Sequence, residues 1–289
     1  MIGSALAPEL ERRGHEVVRL VRQPPSAPGE VQWNADEGVL DADRLGAVDA
    51  FVNVAGVTLD ARWTTRRKQE IVNSRVLTTR LLAERAAAME PRPALVCASA
   101  IGIYGYEGRR GEEELTEESS PGSGFSAEVV RAWEAAADPA RDAGARVVHL
   151  RTSPVLSRRG GLLKRMLLPF KLGAGGRLGD GRQWWSWIEI DDVVSGYVHA
   201  LESPLTGVVN LTSPNPVRNT EFTKALGRAL RRPTILPTPT FGLRVLFGSE
   251  MTKEAILYGL RVLPARLEAE KFEFRYPTLE PALAAALAD

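Results

Sequence analysis

The sequence predicts an α/β protein built on a doubly wound parallel sheet, with a small α/β lobe at its C-terminal side. Two observations carry this. In the first half, short apolar runs alternate with helix-like stretches: Glu16–Val21, Asp49–Val54, Ala94–Ala98 and Arg146–Leu150. These runs are apolar nearly throughout rather than at every second position, which is the pattern of strands covered on both faces. After Val155 the character changes, with glycine dense from Gly160 to Gly181 and proline recurring from Pro204 to Pro239. The division expected is residues 1–155 for the sheet domain and residues 156–289 for a lobe interleaved with the last strands.

The elements follow in order. Ser4–Arg13 sets Ala5, Leu6 and Leu10 near one face with charges opposite, and Gly14 stands as a C-cap. A β-branched run follows and ends before Pro24-Pro25. Thr64–Met89 is a long helical pattern, with Thr64 or Thr65 as N-cap. Gly124–Ala143 reads as one helix. In the second half, Leu162–Leu172 and Asn219–Leu230 read as helices, Gly207–Thr212 as a strand, and Leu279–Leu287 as a final helix. Asp191-Asp192 read as an N-cap and first-turn acid.

Composition removes several function classes. The 289 residues carry 37 basic and 36 acidic side chains, so whole-chain charge gives no sign of a nucleic-acid or membrane-surface partner. One cysteine, Cys97, excludes a disulfide framework, and three scattered histidines argue against a metal centre. No apolar run has the length of a transmembrane helix and no signal peptide is visible, so a cytoplasmic protein is expected.

The opening of the chain is informative. A nucleotide-binding α/β chain begins with an apolar strand, then a Gly-rich turn, then a helix whose N-terminus meets the pyrophosphate. Here Met1-Ile2-Gly3-Ser4 enters a helix at once. Gly3 suits the third glycine of such a turn, the one that permits close helix–strand packing. The first strand and first two glycines are then expected upstream of Met1. That strand is expected between Glu16–Val21 and Asp49–Val54 on one side and Ala94–Ala98 on the other.

Many segments resemble the extended short-chain dehydrogenase/reductases, and within them the epimerase family of nucleoside-diphosphate-sugar epimerase-like proteins. They include IGSALAPELERRGHEVVRLVR, NVAGVTLDARWTTRRKQEIVNSRV, ASAIGIYG, FSAEVVRAWEAAA, NLTSPNPVRNTEF, EKFEFRYPTLEPAL and the stretch from Arg151 to Asp192. The resemblance implies a Rossmann-like fold, a nicotinamide cofactor and a small-molecule substrate, either a carbonyl compound or a nucleotide sugar. Members of the family start with a strand and a TGxxGxxG turn, so the resemblance also implies a chain short by roughly ten residues.

The site follows residue by residue. Arg22 ends the second strand where an acid would hold the ribose of NAD, and an Arg accommodates the 2′-phosphate of NADP. NADP is therefore expected, with NAD left open. Asn53, Ala55 and Gly56 are implied to pass under the adenine and ribose, and Pro154 to pack on the nicotinamide. Ser99 stands beside Ala100, which takes the family's Ser/Thr position. The family's Tyr-x-x-x-Lys falls on Phe125 and Val129, which can neither transfer a proton nor bind ribose by charge. A proton relay would then come from Ser99, Tyr104, Glu128 or Glu134. Arg151, Gly160, Gly161, Trp185 and Trp187 are expected to line the substrate pocket, with alternation turning Trp184 the other way. No metal is expected. Two functions stay open: an NADP-dependent oxidoreductase or epimerase-like enzyme, and an NADP-binding sensor or regulatory protein without turnover.

Overall fold

The computed structural model describes residues 1–59, 61–105 and 110–288. Among them, four strands form a parallel sheet in the order Gly207–Leu211, Val147–Thr152, Ala94–Ala100, Ala50–Asn53. The register sets Val209 beside Leu150, Val96 beside Val148 and Phe51 beside Leu95. A separate three-stranded sheet joins Arg19–Val21 in parallel to Glu30–Asn34, which pairs antiparallel with Val39–Leu40. The protein is thus the α/β parallel-sheet fold that the alternating apolar runs predict.

The position of the break in the sheet differs from expectation. Ala50–Asn53 pairs directly and in parallel with Ala94–Ala100, through the crossover that the helix Thr65–Ala87 supplies. The discontinuity falls instead between Arg19–Val21 and Ala50–Asn53. Among the described residues neither has a strand partner on its outer side. The two sheets still share one core, in which Trp33 of one and Phe51 and Leu95 of the other are buried together.

Helices cover both faces of the four-stranded sheet. On one side, Ile2–Arg12 and Ile190–Glu202 bury Leu6, Leu10, Val193 and Tyr197 against Val148 and Leu150. On the other, Thr65–Ala87 buries Leu82, Ala83 and Ala86 against Leu95 and Cys97. Thr64 caps that helix, its hydroxyl accepting from the Arg67 N–H at 3.2 Å. The helix expected over Gly124–Ala143 is two, Phe125–Ala135 and Asp138–Asp142. Pro139 stands at the start of the second, where a missing N–H costs nothing; inside one continuous helix it would remove a hydrogen bond.

The second half builds its own core. Leu156, Leu163, Phe170, Trp187, Phe222, Leu226 and Leu283 pack together there. The strand Gly207–Leu211 nevertheless returns to the main sheet beside Val147–Thr152, so the two halves are interleaved. Among the described residues no helix is long and apolar enough to cross a membrane, and no group of three His, Cys, Asp or Glu is placed to hold a metal.

Candidate cofactor and substrate site

The carboxyl ends of parallel strands, where the loops open, are where such sheets bind ligands. Asn53 ends its strand fully buried. Its amide donates to Thr79 Oγ1 at 2.8 Å and Thr78 Oγ1 at 3.3 Å, and its Oδ1 accepts the Ala55 N–H at 3.0 Å. Asn53 thus fixes the turn into Ala55-Gly56 from below. Gly56 is glycine for a steric reason: a Cβ there would stand 3.2 Å from the Arg75 guanidinium carbon. Arg75 donates to the carbonyls of Ile71 and Val57 at 3.1 Å each and has no carboxylate partner among the described residues. Burial, with Arg67 nearby, pulls its pKa down to about 10. On the opposite side of this turn, a Cβ at Gly3 would meet Val54 Cγ2 at 3.3 Å, so helix and strand end lie close. That helix has no side-chain cap and no acid in its first turn.

At the end of the second strand the two arginines differ. Arg19 is engaged by Glu30 at 3.1 Å. Arg22 is exposed and has no ion-pair partner among the described residues.

Ser99, Tyr104 and Arg151 come together in one buried polar chain. Ser99 Oγ donates to Glu134 Oε1 at 2.6 Å. Arg151 donates to both oxygens of Glu134, at 2.9 Å each, and to the Tyr104 hydroxyl at 3.3 Å. The Tyr104 hydroxyl donates to Asn210 Oδ1 at 2.7 Å, and the Asn210 N–H donates to Glu117 at 2.8 Å. Burial pushes the Glu134 carboxyl up, but the hydrogen bonds and charge of Arg151, with Ser99, outweigh it and hold it below the usual range. Burial likewise raises the Tyr104 phenol. Two expectations are corrected here. Arg151 does not line a pocket, because the residue is 7% exposed and its guanidinium is spent on Glu134. Tyr104 is 0% exposed, so its hydroxyl faces the network and not a substrate.

These positions were compared with known proteins. The model of the NAD-dependent epimerase/dehydratase family matches residues 1–212. The chain belongs to that family. A second model, a domain of unknown function designated DUF1731, matches residues 238–286. The chain is 43% identical over 285 residues to an epimerase family protein of Mycobacterium tuberculosis, covering 98% of this chain and 93% of that one. It is 35% identical over 295 residues to the epimerase family protein YfhF of Bacillus subtilis, covering 100% and 95%. The crystal structure of human epimerase family protein SDR39U1 with NADPH superposes with a TM-score of 0.88 at 34% identity, covering 100% of this chain and 96% of that one.

Within this epimerase/dehydratase fold, the helix Phe125–Ala135 turns an apolar face to its neighbours. Val129 is buried with Trp63, Ile71 and Met251, and Phe125 packs edge-on against Trp63 with ring centroids 5.0 Å apart. Glu128, one residue before Val129, is exposed. Gly124 offers no side-chain cap, and Glu254 supplies one from the C-terminal segment. Its carboxylate accepts from the N–H groups of Phe125 and Ser126 at 3.3 and 3.1 Å and from Ser126 Oγ at 2.9 Å.

The remaining expected residues lie at the junction with the second half. Pro154 is exposed at the end of Val147–Thr152, and Ser153 N–H donates to the Leu211 carbonyl at 3.1 Å. Gly160 and Gly161 lie beside the first residue: a Cβ at Gly160 would meet Met1 Sδ at 3.0 Å. Trp185 and Trp187 share a face, as alternation predicts, but that face is core. Trp187 is 1% exposed, with its indole N–H donating to the Asn215 carbonyl at 3.1 Å, and Trp185 packs on Phe222 with centroids 4.9 Å apart. Trp184 is the outward indole, held between the guanidinium groups of Arg218 and Arg261 at 3.9 and 4.7 Å from its centroid.

Glu189, not Asp191, is the N-cap of Ile190–Glu202; its carboxylate accepts the Asp191 N–H at 2.5 Å. Burial, with the charge of Asp191 adding to it, pushes the Glu189 carboxyl up to about 7 against the pull of the Asp191 and Ile190 amides. A carboxyl raised on folding contributes stability that is full below its unfolded value and lost as pH rises through its folded one. The protein is thus expected to lose stability between about pH 4.5 and pH 7, and Glu189→Gln is expected to flatten that loss. Urea unfolding of both proteins across this range checks it; parallel pH profiles would refute it.

Asn210 and Glu254 were not anticipated from sequence. Asn210 carries a signal, being the one amide inside the apolar run Gly207–Leu211. Glu254 carries none, since its partner helix begins 129 residues earlier.

Proposed function

We propose that this protein is an NADP-binding oxidoreductase or epimerase-like enzyme of the extended short-chain type, acting in the cytoplasm on a small carbonyl or nucleotide-linked substrate. Residues 1–155 hold the cofactor and residues 156–289 shape the substrate side. The observation that carries this reading is Arg22, an exposed guanidinium without an ion-pair partner among the described residues at the end of the second strand, while Arg19 is taken by Glu30. A free guanidinium there suits a 2′-phosphate. The uncapped first turn of Ile2–Arg12 suits a pyrophosphate, with Gly3 set close against Val54. Ala55, Gly56 and Pro154 complete the surface offered to the cofactor, which when bound supplies or accepts a hydride, while buried Asn53 fixes the Ala55-Gly56 turn.

On the protein side, Ser99 is the positioning group in this proposal. It is 4% exposed, and its proton is directed to Glu134, so it acts through the buried network and not by touching a substrate. Glu134 stays a carboxylate under Arg151 and orients Ser99. Glu128 is the exposed carboxylate nearest in sequence to the helix face where the family's pair stands, and it is the acid–base candidate. Gly160 and Gly161, expected to line the substrate pocket, stand at the junction of the two halves against Met1.

Arg22→Ala is expected to weaken NADPH binding by about 1.5–3 kcal/mol and leave NADH binding unchanged. Fluorescence titration of both nucleotides on both proteins measures this, and equal affinity of the unaltered chain for NADPH and NADH would refute it. A second reading, an NADP-binding sensor, is favoured by the apolar packing of Phe125 and Val129. Nicotinamide turnover with a panel of carbonyl compounds separates the two: NADPH binding without any turnover supports the sensor.

A further inference from the structure

Two stretches of the second half have a composition unlike the rest. Residues 160–179 contain Lys164, Arg165, Lys171 and Arg177 and no acid. Residues 222–249 contain Lys224, Arg228, Arg231, Arg232 and Arg244 and again no acid. Nine basic residues without one carboxylate stand out in a chain whose net charge is +1.

The fold brings the end of the first stretch beside residues 232–238 of the second. Arg232 Nε donates to the Lys171 carbonyl at 2.8 Å. Thr238 N–H donates to the Arg177 carbonyl at 2.9 Å and Thr238 Oγ1 to that of Gly176 at 3.0 Å. The segment Ile235–Thr238 therefore runs along the end of the helix Gly161–Lys171 and the turn after it. Lys224, Arg228, Arg231 and Arg232 line one open depression of about 390 Å³. Arg228 is paired with Glu280, while Lys224, Arg231 and Arg244 have no ion-pair partner among the described residues.

The same stretches hold most of the large apolar side chains that face water. Ile235 is 85% exposed, Phe241 77%, Leu172 74%, Leu236 72%, Leu168 66% and Val245 59%. Their spacing is regular. Leu168 and Leu172 follow Lys164 at intervals of four, Leu172 as the C-cap of the helix Gly161–Lys171, and Phe241 and Val245 lie four apart on the helix Thr240–Phe247, with Arg244 between them. Apolar tips interspersed with lysine and arginine form an amphipathic surface of the interfacial kind.

We propose that this face docks on the surface of an anionic lipid bilayer, with the six apolar side chains entering the headgroup–acyl boundary and the basic residues meeting lipid phosphates. The charge selects this occupant. A second copy of the chain would bring the same cations against each other, which is repulsive. The apolar side chains are 59–85% exposed and are interspersed with cations, which suits a fluid anionic surface. The contact is peripheral, in keeping with the lack of a membrane-crossing helix among the described residues.

The test is cosedimentation of the full chain with phosphatidylcholine vesicles, and with vesicles about one-third phosphatidylglycerol, at low and high salt. Binding is expected only to the anionic vesicles, and it should fall with salt. Lys224→Gln and Arg231→Gln should each weaken partition by about fivefold. Ile235→Ser with Phe241→Ser should weaken it at least as much. Both apolar positions are exposed, so the melting temperature should not move; the two charge variants test the proposal independently should it do so. Three results would overturn it: no binding to anionic vesicles, equal binding to neutral ones, or self-association that the Ile235 and Phe241 substitutions abolish. Binding to polyglutamate as tight as to anionic vesicles, unaffected by those two substitutions, would instead assign the face to an acidic polypeptide.

Discussion

Glu134→Ala is expected to destabilise the protein by about 3–5 kcal/mol. The side chains of Arg151 and Glu134 are only 8% and 14% exposed, and the guanidinium meets the carboxylate through two parallel hydrogen bonds of 2.9 Å. Removing the carboxylate leaves a buried cation with the Tyr104 hydroxyl as its remaining partner. It also releases Ser99, whose hydroxyl donates to the same oxygen. Replacing both charges, as Glu134→Leu with Arg151→Met, should recover most of the loss, because an apolar pair carries no desolvation penalty. Urea unfolding of the two single variants and the double variant completes the cycle. A loss below about 1 kcal/mol for Glu134→Ala would place the pair among weak surface contacts and refute the argument. The pH dependence has a definite sign. The folded carboxyl is held below its unfolded value, so its stabilisation is present above the unfolded value and disappears as pH falls through the folded one. Glu134→Gln should remove that part of the acid limb.

Trp187→Ala is expected to cost about 3–5 kcal/mol, as deletion of a large buried aromatic side chain does. Its indole is the largest fully buried side chain and packs in the core with Leu156, Leu163, Phe222 and Leu283. The substitution also leaves the Asn215 carbonyl without its indole donor. Trp184→Ala is the contrasting case. Its ring is half-buried near Arg218 and Arg261, its indole N–H donates to Glu112 at 3.2 Å, and loss of two cation–π contacts should cost about 1–2 kcal/mol. Two residues of one tripartite Trp cluster should thus differ by about 1–4 kcal/mol. Equal effects in urea unfolding would mean that Trp187 is not the core anchor the structure makes it.

The reading from sequence succeeded where a local cause acts alone. Apolar runs such as Ala94–Ala98 became strands because burial on both faces demands little else. Thr64 became a cap because the first turn of any helix needs an acceptor. Alternation paired Trp185 with Trp187 correctly. The failures have one physical source, the choice between surfaces that look alike along the chain. Period-2 alternation says which tryptophans share a face, but not whether that face meets solvent or Phe222. Arg151 ends a strand as a pocket arginine would, and only the partner Glu134, supplied by a separate helix, shows that its charge is already spent. Strand order has the same character: apolar content cannot tell which neighbour Ala50–Asn53 will choose, and the crossover helix decides it. What separates Arg22 from Arg19 in the fold is likewise a partner, Glu30, which takes Arg19 and leaves Arg22 exposed.

Two family models divide the sequence, one ending at residue 212 and the other starting at residue 238. The carboxylate of Glu254 erases that boundary energetically. It closes the first turn of Phe125–Ala135, and Met251 lies against Val129 of the same helix. Neither segment can open without exposing the other's amides or apolar side chains. In hydrogen-exchange experiments, the amides at the start of this helix and those around residue 254 therefore belong to one foldon, released with one free energy despite their distance along the chain. A ligand that orders the cleft through this helix would slow exchange in the C-terminal segment by the same factor, without touching it.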